Sequence, residues 1–193
     1  MRLKRALCGC VTDVAAEQLG GLLHHPEVDL LEWRLDVFSQ RYGWQGTLAM
    51  LPVLSAIPRH PVVVTNRPKS EGGAFEGSED QRLELLEKAI AAEAEWVDLE
   101  DWVEEERVRR LRSQSARLLL SHHDFSGTPD RLALQRLAET MARKDPDAIK
   151  IVTYIRVPED SLRVLELIPF GRKELGMEVL HSGWDRWGAG AEW

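Results

Sequence analysis

Two residues of this sequence have types and settings that suit covalent chemistry. Lys150 stands alone among apolar residues in Ala148-Ile149-Lys150-Ile151-Val152, and His123 ends the apolar run Leu118-Leu119-Leu120-Ser121-His122-His123-Asp124-Phe125. A lysine inside a β-branched strand is buried unless it points into a cavity. Burial near other cations lowers its pKa and leaves neutral amine at neutral pH. Neutral amine is what imine formation with a ketone requires, and a histidine on the next strand moves protons in the same pH range. The pair therefore predicts Schiff-base chemistry at a carbonyl. Parity along a strand sends His122 to the opposite face from His123. His122 is thus read as packing or supporting, and the two cannot ligate one metal ion.

Other polar residues gather in the same way. Residues 29–36 read as a strand with Leu31, Trp33 and Leu35 on one face and Glu32, Arg34 and Asp36 on the other. A third strand, 61–67, offers Thr65 and Arg67, and a fourth, 96–101, offers Asp98 and Glu100. Parallel strands buried on both faces should be apolar on both. A charged face is costly unless its groups pair and look into a site. Each set falls at the carboxyl end of its strand, where barrel enzymes keep their chemistry.

The elements that must position these groups alternate regularly. Strands are predicted at 6–12, 29–36, 61–67, 96–101, 117–125 and 148–154, with a seventh starting at 177–180. Helical patterns lie between them. Asp13 is the expected cap of a helix at 14–23, and 41–57 reads as a loop and helix. Ser78-Glu79-Asp80-Gln81 has the form of a capping box, opening a helix with Leu83, Leu86 and Ile90 inward. The charged segment 102–113 reads as a surface helix, with Glu104, Glu105 and Glu106 solvated. Thr128-Pro129 is expected to cap a helix burying Leu134, Leu137 and Met141. Pro158 is expected to start one burying Leu162, Leu165 and Ile168 and ending at Pro169. Strands separated by helices pair in parallel through right-handed crossovers. Seven such starts predict an α/β protein of the (β/α)8 TIM-barrel class. No glycine-rich nucleotide motif follows a strand.

Composition narrows the classes. The chain has 193 residues, 44% hydrophobic and 30% charged, with a net charge of −7. That length fits one domain, and the acidic balance gives no footprint for nucleic acid or anionic membrane. No apolar run is long enough to span a bilayer, and the short basic start lacks a signal core. A cytoplasmic protein is expected. Cys8 and Cys10 read as two buried strand thiols, and His24-His25 as surface residues.

Five motifs in order complete the picture. They are Glu32-Trp33-Arg34-Leu35-Asp36, Thr65-Asn66-Arg67 followed by Glu71-Gly72-Gly73, Asp98-Leu99-Glu100, Ser121-His122-His123-Asp124-Phe125 with Thr128-Pro129, and Lys150. Together, over roughly residues 6–180, they resemble the type I 3-dehydroquinate dehydratases of the shikimate pathway, which serves chorismate and aromatic amino acid biosynthesis. The resemblance implies a lyase acting on the small molecule 3-dehydroquinate with no metal and no organic cofactor. Lys150 would form the imine. His123 would take the proton beside the ketone and return one to the departing hydroxyl, a syn elimination giving 3-dehydroshikimate. Glu71 would orient His123. Glu32, Arg34 and Arg67 would hold the substrate, and Asp36 and Glu100 would brace that network. Cys10 falls where the family often has a substrate-facing serine. A homodimer is compatible with the resemblance.

The composition changes abruptly after Leu180. Residues 181–193 hold three of the seven tryptophans together with three glycines, and show no helical or strand period. The expectation is a barrel domain at 1–180 and an aberrant tail at 181–193, with the last strand and last two helices missing. A one-base slip near codon 180 accounts for this. With suitable codons the next frame of the tail reads Ala-Phe-Trp-Met-Gly-Pro-Leu-Gly-Arg-Arg-Ser-Arg-Val, which resembles the family's continuation. Such a chain is expected to have little dehydratase activity. The competing readings are another class I Schiff-base lyase or aldolase, and a non-catalytic truncated remnant.

Overall fold

The computed structural model describes residues 7–12, 14–56, 60–112, 114–184 and 191–192. These fall into two compact units, 1–98 with 109–117, and 99–108 with 118–193.

In the first unit, β1 (Cys8–Val11), β2 (Leu30–Arg34), β3 (Val62–Thr65) and β4 (Trp96–Glu100, whose last two residues belong to the second unit) lie in parallel and in chain order. Between them run α1 (Ala16–Leu22), α2 (Leu35–Met50), α3 (Val53–Ala56) and α4 (Glu79–Ala91). The register explains the layering. Leu31 and Trp33 share a face with Val62, Val64 and Val97, and all five are buried. α4 packs on β3 with Leu83, Leu86 and Ile90 buried, as the sequence predicts. Ser78 caps it: its hydroxyl accepts from the Gln81 amide at 3.2 Å, while Gln81 Oε1 accepts from the Ser78 amide at 3.0 Å.

In the second unit, β5 (Arg117–Asp124), β6 (Ala148–Tyr154) and β7 (Glu178–Trp184) are parallel. The two-residue β8 (Ala191–Glu192) runs antiparallel to β7. Here lie α6 (Arg131–Ala142), α7 (Pro158–Leu165) and α8 (Leu167–Phe170). α5 (Glu105–Arg112) carries residues of both units. Strands alternating with helices, four parallel in the first unit and three in the second among the described residues, make this an α/β fold of the TIM-barrel class. Among the described residues no eighth parallel strand follows β7.

Several local expectations are corrected. β2 stops at Arg34 and α2 begins at Leu35, so Asp36 is in a first helical turn, not a strand. Pro129 is not the first helical residue; Asp130 caps α6, accepting from the Ala133 amide at 2.8 Å. Its predicted stripe holds at Leu134 and Met141, whereas Leu137 is half-buried. Leu162 and Leu165 are exposed; α7 turns Asp160 and Val164 inward instead. Pro169 ends nothing: it lies within α8, and a π-helical turn at Gly171–Leu175 continues the chain to Gly176. The thiols are not buried, Cys8 being half-buried and Cys10 exposed. They stand on the face that β1 shares with Glu32 of β2. Asp13, the expected cap of α1, lies outside the described residues.

The tail also departs from expectation. β7 continues through the composition break to Trp184, paired with β6 at Ile151↔His181 and Tyr154↔Trp184. Backbone pairing tolerates a change in side-chain pattern when the neighbouring strand already offers its N–H and C=O groups.

Candidate functional site

The polar face of the first unit is built by register. Cys10, Glu32 and Val63 are successive partners across β1, β2 and β3, and Arg34, Thr65 and Asp98 across β2, β3 and β4. Strand partners share a face, so Glu32, Arg34, Thr65 and Asp98 stand together. Each of these groups has a side-chain partner in place. Thr65 Oγ1 donates to Glu32 Oε1 at 2.7 Å, and Arg67 Nη2 donates to Asp98 Oδ2 at 2.7 Å, all four residues being buried. Arg34 meets Asp36 in a two-pronged pair, Nε to Oδ1 at 2.9 Å and Nη2 to Oδ2 at 2.7 Å. Burial by itself pushes the Arg34 guanidinium down, but the Asp36 bond and charge, with Glu32 adding, hold it above its ordinary value. That cation stays charged.

The loop after β3 is shaped around Arg67. Lys69–Glu71 forms a single 3-10 turn, ended by Gly72 at φ 71°. A Cβ on Gly73 would lie 2.1 Å from the Arg67 carbonyl oxygen, so only glycine fits. Asp36 Oδ2 accepts from the Ala74 amide at 2.9 Å, and the Phe75 amide donates to the Arg67 carbonyl at 3.0 Å. Glu71 is half-buried within this loop. Its glycines therefore serve the close approach of backbone to Arg67.

The second unit holds the other predicted groups. Ser121 is the register partner of Lys150, and His123 that of Val152. Ser121, His123, Lys150 and Val152 therefore share one face, with His123 and Lys150 diagonal neighbours on adjacent strands. Lys150 is 7% exposed, and Leu180 of β7 is its partner on the other side. His123 is half-buried, its ring 6.2 Å from the Phe125 ring with planes 14° apart. Glu100 is buried at the end of β4.

His122 takes the opposite face, as parity predicts. Its Nδ1 lies 3.1 Å from Asp101 Oδ2, in the turn after β4. Ser121 Oγ donates to the Leu99 carbonyl at 3.2 Å, and the Asp101 amide donates to the Ser121 carbonyl at 2.8 Å. Beyond His123 the chain is tied to the end of β6. Thr128 Oγ1 lies 2.9 Å from Thr153 Oγ1 and donates to the Tyr154 carbonyl at 3.0 Å. Thr128, expected as part of a helix cap, is a clasp between β6 and the loop after β5. Asp124 accepts from the Ser126 amide at 2.8 Å. Burial pushes its carboxyl up, but the Ser126 hydroxyl and amide outweigh this and hold it below the ordinary value.

Within the first unit the structure brings together Glu32, Arg34, Asp36 and Arg67, and within the second it sets His123 beside Lys150. Absent from the predicted set are Thr65 and Asp98, the direct partners of Glu32 and Arg67. Strand parity already placed both on the charged face, which was the available signal. Arg82, buried on α4, was not foreseen at all, because a charged helical residue ordinarily faces water.

Comparison with known proteins finds relatives with one shared name. The 3-dehydroquinate dehydratase of Syntrophobacter fumaroxidans is 42% identical over 174 residues, covering 90% of this chain and 74% of that protein. The one from Dehalococcoides mccartyi is 37% identical over 139 residues, covering 71% of this chain and 58% of that protein. The crystal structure of 3-dehydroquinate dehydratase from Geobacillus kaustophilus superposes with a TM-score of 0.82 at 25% identity, over 96% of this chain and 76% of that one. Residues 9–174 match the type I 3-dehydroquinase family, and the chain belongs to that family.

Proposed function

We propose that this chain dehydrates 3-dehydroquinate to 3-dehydroshikimate through an imine on Lys150. The carrying observation is Lys150 itself, a buried lysine on an otherwise apolar strand, sharing its face with His123 one strand away. An amine withdrawn from water is more readily neutral. Its lone pair attacks the ketone carbon, and loss of water gives an iminium that draws electrons from the adjacent carbon. His123 takes the proton from that carbon; the freed C–H pair becomes the carbon–carbon double bond of an enamine and the C=N π pair returns to nitrogen. The enamine expels the β-hydroxyl, which leaves as water with the proton returned by His123. Hydrolysis of the conjugated imine frees Lys150 and the enone.

Glu32, Arg34 and Arg67 hold the substrate hydroxyls and carbonyl region in this reading. Asp36 and Glu100 brace them, and Glu71 orients the His123 imidazole. The lyase family match supports these roles, as does the investment of paired, buried charge on one face of the first unit.

The test is borohydride reduction in the presence of 3-dehydroquinate, with peptide mass mapping, alongside ultraviolet detection of the conjugated product. A reduced adduct on Lys150 with release of water and no carbon–carbon cleavage is expected; cleavage would identify an aldolase. Failure to trap Lys150 would sink the reading. The composition break after Leu180 favours a second reading, a non-catalytic remnant of the same enzyme. A monodisperse, cooperatively melting 193-residue chain with no turnover would support that reading.

A further inference from the structure

α4 carries a cation that its own fold does not need. Arg82 is 1% exposed, on a helix already anchored by the buried Leu83, Leu85, Leu86, Ala89 and Ile90. All three of its guanidinium nitrogens donate. Nε and Nη2 donate to the two Glu79 carboxylate oxygens, each at 2.7 Å, and Nη1 donates to the Asn66 carbonyl at 3.2 Å. The contact is returned, since Asn66 Nδ2 donates to the Arg82 carbonyl at 3.2 Å. Asn66 is itself completely buried.

The clasped residue is the informative part. Asn66 lies between Thr65, which donates to Glu32, and Arg67, which pairs with Asp98. β3 ends at Thr65. Past that point the backbone is held on one side by the Phe75 amide on the Arg67 carbonyl and the bridge of Pro68 with Phe75, and on the other by Arg82 on the Asn66 carbonyl. The 66–67 peptide sets the direction in which the Arg67 side chain leaves the backbone, and Asp98 holds its far end. A planar fork is suited to hold that peptide, because it bonds a carboxylate bidentately and still has a donor for a carbonyl.

We infer that Arg82 is a positioning residue for substrate binding, holding the Thr65–Asn66–Arg67 segment from behind so that Arg67 and Glu32 meet the substrate in a fixed geometry. This rests on the proposed role of Arg67 and Glu32 in holding 3-dehydroquinate. Arg82 touches no substrate; its effect passes through Asn66.

The test compares Arg82→Gln, Arg82→Lys, Glu79→Gln and Arg67→Gln in the full chain. Two readouts are used: KM, and the 3-dehydroquinate concentration giving half-maximal borohydride trapping on Lys150, which needs no turnover. Arg82→Gln should fold, by circular dichroism and a cooperative melt, and raise both concentrations about tenfold while kcat stays within about threefold, the pattern of lost uniform binding. Arg82→Lys should recover part of that loss. If Arg82→Gln does not fold, Glu79→Gln, which leaves the arginine in place but removes its carboxylate, should raise both concentrations about threefold. The inference is overturned if these folded variants bind as wild type while Arg67→Gln is weakened. Wild-type binding by Arg67→Gln brings down the proposed role of Arg67 and the inference with it.

Discussion

The two compact units solve the same problem, keeping polar groups on the buried face of a parallel sheet, by different means. In the first, Glu32, Arg34 and Arg67 are each held by a side-chain bond, to Thr65, Asp36 and Asp98 respectively. In the second, Lys150 and His123 are placed by strand register, with Ala148, Val152 and Leu180 around the lysine's position. The first unit fixes its polar groups by side-chain bonds across neighbouring strands, whereas in the second the pairing of β5 with β6 sets Lys150 and His123 on one face.

Breaking the second unit should give the largest effects. Lys150→Met preserves volume and burial and should reduce turnover to background with no borohydride adduct, while the melt remains cooperative. His123→Ala should lower kcat by about 10²- to 10⁴-fold, the usual range for general acid–base catalysis. Imine trapping on Lys150 should persist in that variant. Loss of trapping in His123→Ala would mean that the two groups do not divide the work as proposed.

In the first unit the cost should appear in stability. Asp98→Ala leaves Arg67 buried without its carboxylate partner, and urea denaturation should show a loss of about 3–5 kcal/mol. Ser78→Ala removes the cap of α4, at about 1 kcal/mol. An Asp98 variant as stable as wild type would show that the ion pairs are not what holds this face.

The smallest effect concerns pH. His181 is buried on β7, its Nε2 has no hydrogen-bond partner among the described residues, and burial holds its pKa below the ordinary 6.5. The unfolded chain therefore binds that proton more readily than the folded one. The contribution to stability is complete above pH 6.5 and is lost as pH falls from there through the folded value. His181→Leu should flatten that slope in thermal melts taken on either side of pH 6.5; an unchanged slope would assign the pH dependence elsewhere.

How much was legible in advance depended on the range of the interactions. The Ser78–Gln81 box and the extent of β6 were readable because capping and strand period are local. The inward face of α7 was misassigned because a helix of eight residues and the turns after it do not keep one period. Asp36 was placed in a strand because parity continues past Arg34 on paper, whereas the backbone turns helical at Leu35. The fate of residues 181–184 was hidden because composition reports side chains, and β6 pairs with their backbone.

The sequence by itself determined the strand–helix alternation and the setting of Lys150 and His123 on adjacent strands, since these follow from period, parity and residue type; the family was legible as a resemblance in five ordered motifs. Tertiary structure alone decided which charges neutralise one another, that Gly73 must clear the Arg67 carbonyl, and that Arg82 reaches from a helix to grip Asn66. Some of those contacts join residues on different elements, as Arg67 with Asp98 and Arg82 with Asn66, and others depend on how the loop after β3 folds back on itself, as Gly73 on Arg67; neither is encoded in a local pattern.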